Sequence, residues 1–188
     1  MKWNIAAAAC CLLLLVANVA LIRQNRELKN QMSLPQAALE AAPGTQVPDL
    51  KGYDVDKKAL ALAYGQDPRK VLVLVFSPTC HFCDENWPRW RQLVPELDPD
   101  AVRPIEVDVT STTTADFASQ HQLGDVPVIV QVDPAARIGY RFQLTPQTIL
   151  VDRHGKVEKV WSGVLNDSAM AEIKQRAGVK KSLSAVLP

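Results

Sequence analysis

Seven consecutive residues, Lys70 to Phe76 (KVLVLVF), run straight into Ser77-Pro78-Thr79 and then Cys80-His81-Phe82-Cys83. A continuous β-branched and aromatic run of this length, without alternation, is a strand covered on both faces. It therefore demands a sheet with further layers on each side. The turn that follows and the periodic stretch after it, reaching Pro95, predict a helix that begins at the two cysteines and is bent at Pro88, which cannot donate to the helix ladder.

The rest of the chain supplies those layers. Pro43 to Tyr53 suits a short strand or loop. Asp56 to Gly65 (DKKALALAYG) reads as a short helix with an Asp start and a Gly stop. Val102 to Val109 alternates and predicts a strand. Thr114 to Leu123 predicts a helix, Val126 to Val132 a strand or, because of Pro127, a loop, and Ala135 to Phe142 a short helix. Gln147 to Asp152 and Lys156 to Trp161, joined by Arg153-His154-Gly155, form a hairpin. Asp167 to Ala177 is a helix closed by Gly178. This order predicts an α/β fold with a mixed sheet and helices on both faces.

Ahead of that body, Ile5 to Ile22 holds 18 residues without a charge. As a helix it would reach roughly 27 Å, close to the ~30 Å hydrocarbon core of a bilayer. No good small-x-small cleavage site follows, so residues 1–22 are expected to be an uncleaved single transmembrane anchor. Cys10 and Cys11 are then small apolar residues in lipid. Residues 23–42 read as a linker or helical stalk, 43–178 as the folded domain and 179–188 as a tail. Lys2 on one side of the span and Arg23, Arg26 and Lys29 on the other leave orientation open on charge alone.

Lys and Arg total 21 against 20 Asp and Glu, a balance that argues against a nucleic-acid binder. Only 4 Cys are present, two of them in the apolar leader, which excludes a disulfide-stapled miniature fold. The chemistry is expected at Cys80 and Cys83. Unpaired N–H groups and the macrodipole at a helix start favour a thiolate, and the i, i+3 spacing puts both sulfurs on one side of the first turn. Cys80, at the exposed end, is the expected nucleophile, and Cys83, one turn inside, the resolving thiol. His81 as a cation would favour the thiolate. Asp84 and Glu85 suit the helix start electrostatically. Zinc would need two further ligands, and none stand at the usual spacing. No metal and no cofactor beyond the Cys80–Cys83 pair is expected.

Three stretches together resemble a thioredoxin-like domain, and within that superfamily the membrane-anchored TlpA/ResA-like thiol-disulfide oxidoreductases. They are KVLVLVFSPTCHFCDENWP, the segment from Leu144-Thr145-Pro146 to Gly155, and the leader PGTQVPDLKGY. The resemblance implies a thioredoxin-like fold and a cis-proline at Pro146 facing the cysteines. It implies that Thr145 and Pro146 present backbone to an extended substrate segment, with His81 and Phe82 tuning the pair. The implied activity is protein-disulfide reduction, with a disulfide-containing client, a membrane thiol electron donor and no nucleic acid. The implied location is a bacterial inner membrane, with the domain on the periplasmic or extracytoplasmic side. Three departures stand out. Ser77-Pro78-Thr79 replaces the aromatic lead-in of many relatives and looks like accessory proteins of amine dehydrogenase maturation. Asn86 stands where many relatives carry Glu. Leu74 stands where thioredoxin has a buried Asp, so the resemblance names no general base. Two other functions use the same thiols: a thiol peroxidase, for which Ser77 fits the position three before Cys80 but Val73 fails the expected Pro, and a copper(I) metallochaperone.

Overall fold

The computed structural model describes residues 11–25 and 39–180. The chain divides into two compact units, residues 1–38 and 39–188. In the first, residues 11–25 form helix α1. Among the described residues, no helix is long and apolar enough to cross a membrane. The expected span Ile5–Ile22 begins outside the described residues, as do most of the expected linker and most of the tail.

The second unit is built on a five-stranded sheet of order β5-β4-β3-β7-β8. Its strands are β3 (Lys70–Phe76), β4 (Val102–Asp108), β5 (Val128–Ile129), β7 (Gln147–Val151) and β8 (Val157–Ser162). β3 is parallel to β4 and antiparallel to β7, β4 is parallel to β5, and β7 and β8 form the expected antiparallel hairpin. The helices are α2 (His81–Leu93), α3 (Ala115–His121), α4 (Pro134–Gly139) and α5 (Asp167–Ala177). The caps explain their limits. Thr114 accepts a hydrogen bond from the Phe117 N–H at the start of α3, Asn166 accepts from the Ala169 N–H at the start of α5, and Gly178 follows α5 at φ 94°. Pro88 lies inside α2.

β3 is buried on both faces, as its composition demands. Val71, Val73 and Val75 pack with Ile105, Val107, Ile149, Tyr140 and Phe142 on one side. Leu72, Leu74 and Phe76 pack on the other with Cys83, Trp87, Trp90 and Leu93 of α2 and Met170 and Ile173 of α5. The face under α2 is the one that positions the site.

Two elements differ from expectation. Asp56–Gly65 is not a helix. Its centre is β2 (Ala59–Leu62), paired antiparallel with β1 (Leu50–Tyr53). The Asp that reads as a helix start is matched by Asp54, whose carboxylate accepts from the N–H groups of Asp56 and Lys58 and so builds a hairpin turn with Lys57 at φ 62°. The alternation of Ala and Leu then belongs to a strand. The stretch Val126–Val132 splits between sheets: β5 joins β4, while β6 (Gln131–Val132) pairs with β1. Gly52 permits that second pairing, because a Cβ there would stand 2.3 Å from the Gln131 carbonyl oxygen.

Candidate active site

The end of β3 delivers the chain into a tight turn. The Cys80 N–H donates to the Ser77 carbonyl at 3.1 Å, and the Ser77 and Thr79 hydroxyls lie 3.2 Å apart. Cys80 caps α2 with extended backbone, and the N–H groups of Cys83 and Asp84 both donate to its carbonyl. The turn leaves Cys80 partly exposed, whereas the next turn of helix puts Cys83 at 0% exposure. Both are free thiols.

The Thr145–Pro146 peptide is cis. The Cys80 thiol donates to the Thr145 carbonyl at 3.4 Å, so the outer sulfur faces that peptide directly. Behind it, the Pro146 carbonyl accepts from the Gly163 N–H at 2.9 Å, which ties the loop to the end of β8. Asn86, fully buried on α2, accepts from the Leu165 N–H at 2.9 Å and holds the loop after β8, which carries Gly163, against the helix. Cys80, Cys83, Thr145 and Pro146 thus come together at one edge of the sheet. His81 and Phe82 point outward. The His81 side chain is 81% exposed with Nε2 3.2 Å from Glu85 Oε1, and Phe82 is 59% exposed.

Burial pushes the Cys83 thiol up to about 12. Its hydrogen bond with Cys80 adds to that, and contacts to the Ser77 backbone and Thr145 act the other way. Cys83 therefore keeps its proton at neutral pH and attacks only when something removes it.

Two further side chains that the sequence leaves unassigned lie in the layer between α2 and the sheet. Trp90 donates from Nε1 to the Thr148 hydroxyl at 3.0 Å and so locks α2 onto β7. Glu106 is only 2% exposed. Alternation in VRPIEVDV marks Glu106 as facing away from Ile105 and Val107, which is correct. The second face of the sheet is simply covered as well, by α2, and only the three-dimensional layer reveals it. Burial pushes the Glu106 carboxyl up to about 8, with a backbone hydrogen bond from Leu123 acting in the opposite direction. Among the described residues, no group of three or more His, Cys, Asp or Glu is placed to hold a metal ion.

Comparison with known proteins extends the geometry. StoA from Bacillus subtilis superposes with a TM-score of 0.52 at 18% identity, covering 69% of this chain and 97% of that one. The exposed lipoprotein thioredoxin Etrx1 from Streptococcus pneumoniae gives 0.51 at 22%, covering 68% and 98%. A thiol-disulfide isomerase from Corynebacterium glutamicum gives 0.54 at 20%, covering 76% and 98%. At these identities the likeness is one of fold, and that fold is the thioredoxin-like α/β architecture. No curated protein matches the chain. The AhpC/TSA family model matches residues 41–160, more than half of the chain and the whole stretch from the first turn to β8. The chain belongs to the AhpC/TSA family.

Proposed function

We propose that this protein is a thiol-disulfide oxidoreductase that reduces disulfides in client proteins. The observation that carries the reading is the Cys80 sulfur, partly exposed and 3.4 Å from the Thr145 carbonyl of a cis Thr145–Pro146 peptide, with Cys83 buried one turn behind it. A half-buried backbone segment beside a partly exposed sulfur suits an extended peptide of any sequence. Cys80 thiolate attacks one sulfur of the client disulfide, and the other leaves as a thiolate. Cys83, losing its proton, then attacks the Cys80 sulfur. The Cys80–Cys83 bond forms, the mixed disulfide breaks, and the second client thiol departs. Two electrons pass from the dithiol to the client, and an external thiol donor restores the dithiol. Phe82, largely exposed beside the nucleophile, offers an apolar contact to the client.

The proposed setting is extracytoplasmic. The apolar stretch Ile5–Ile22 tethers the chain to the inner membrane, the domain faces the periplasm, and the donor is a membrane thiol protein. Insulin reduction by the full chain tests the activity. The expected result is turnover with the wild type and none with Cys80→Ser. Equal turnover by both overturns the reading.

A second reading has one observation in its favour. Ser77, buried three residues before Cys80, places a hydroxyl in the same turn. A thiol peroxidase would use Cys80 thiolate to cleave a peroxide O–O bond, forming a sulfenic acid that Cys83 condenses to the same disulfide with loss of water. Peroxide consumption by the full chain, faster than insulin reduction, selects it.

A further inference from the structure

Four buried side-chain atoms among the described residues lack a hydrogen-bond partner: Asn86 Nδ2, Trp87 Nε1, Glu106 Oε1 and Gln147 Oε1. Such groups are rare in folded proteins and call for a physical account. The strand register sorts them. Gln147 lies opposite Val75, on the face away from α2. Glu106 lies between Leu74 of β3 and Val128 of β5, and both neighbours belong to the layer under α2. That same layer contains Cys83 and Trp87, which are i and i+4 on the buried face of α2. Leu123, whose N–H bonds to Glu106, packs in it too. A carboxyl oxygen and an indole N–H, both unpartnered, therefore lie in the apolar layer that also holds the buried thiol.

We propose that Glu106 is the proton relay of Cys83, working across the layer under α2 that holds both groups and the unpartnered Trp87 Nε1; this rests on the oxidoreductase reading. When Cys83 attacks the mixed disulfide, its proton passes to the Glu106 carboxylate. When an external thiol attacks Cys80 and opens the Cys80–Cys83 bond, Cys83 leaves and takes the proton back from the Glu106 carboxyl. The proton only shuttles between the two groups, so the overall exchange stays balanced in electrons and atoms. The direction of each step suits the environment. A thiol pushed up to about 12 is a poor leaving group without a nearby acid, and a carboxyl pushed up to about 8 is still an acid at neutral pH. Beside Glu106 in the sheet, β3 places Leu74 and β5 places Val128. On its own strand the same face carries Asp108, fully buried and accepting from the Thr110, Thr112 and Thr113 N–H groups. α2 presents Cys83 and Trp87 to the same layer. α3 contributes His121, stacked on Phe117 and 5.0 Å from the Trp87 ring. His121 is therefore the control.

The test mixes reduced full-length protein with oxidised glutathione and follows Trp fluorescence. A fast phase reports capture at Cys80 and a slower one reports closure by Cys83. The expected result is a closure rate that rises with pH and levels off near 8 in the wild type and in His121→Asn. Glu106→Gln slows the plateau by about a hundredfold or more, within the range of general acid–base effects, and removes the inflection. Glu106→Asp restores the inflection in part. An unchanged profile in Glu106→Gln, or loss of the inflection in His121→Asn, overturns the relay. Should Glu106→Gln fail to fold, the infrared band of the carboxyl that stays protonated at pH 7 in the wild type decides. It should change when the dithiol is oxidised, and a band indifferent to the redox state overturns the proposal. If the wild type shows neither phase, the oxidoreductase reading falls; if it shows both and Glu106→Gln matches it, only the relay falls.

Discussion

A carboxyl held in an apolar layer makes stability depend on pH. Glu106 is raised from the ordinary value of 4.5 to about 8 by burial, so the folded chain holds a proton that the unfolded chain has lost across that interval. Stability contributed by the neutral form is complete below about 4.5 and is lost as pH rises towards 8. Glu106→Gln removes the titration. Its melting temperature is therefore expected to equal or exceed the wild type above pH 8, and its profile between pH 5 and 8 to be flatter. A wild-type profile already flat over that range would contradict the buried placement. Asn86 makes a second residue-scale prediction. Replacing it by Ala strands the Leu165 N–H, at a cost of about 1–3 kcal/mol in denaturant unfolding. No measurable loss would mean that water replaces the amide.

The elements behave as packed layers whose limits are set by a few contacts. Trp90→Phe removes the donor to Thr148 and, the benzyl ring being smaller than the indole, leaves a cavity at a fully buried site, so a loss of about 2–4 kcal/mol is expected, with α2 still folded by circular dichroism. Gly52→Ala should cost more than its helix or strand preference implies, because its Cβ would meet both the Gln131 carbonyl and Ile129 Cγ2 at 2.5 Å or less. Loss of amide protection confined to β1 and β6 would show that the pairing is what breaks. These elements were unevenly legible in the sequence. β3, α2, the β7–β8 hairpin and α5 carry strong periodicity, turn residues and caps, and each stands where those signals put it. β2 carries an ambiguous signal because Asp and Gly punctuate hairpins as well as helices, and only pairing with β1 separates the two. The split of β5 from β6 depends on which neighbour each strand finds, which no local pattern encodes.

At the scale of the whole molecule, Cys80 and Thr145 of the cis Thr145–Pro146 peptide are 65 residues apart along the chain and meet only because β3 and β7 are adjacent strands. The cysteines were legible by spacing and the proline by resemblance. Asn86 shows in the sequence only as a substitution for Glu, and Glu106 carries no signal there, since one-sided alternation looks the same whether the second face meets water or a helix. The account therefore stands on exchange chemistry at Cys80, and trapping tests it most directly. Full-length Cys83→Ser, expressed in the native host, is expected to leave a mixed disulfide at Cys80 unresolved. It should accumulate covalent partners through Cys80 that disappear on reduction and are absent from the Cys80→Ser, Cys83→Ser double variant. Partners captured equally by the double variant, or none captured while Cys80 stays accessible to alkylation, would contradict it.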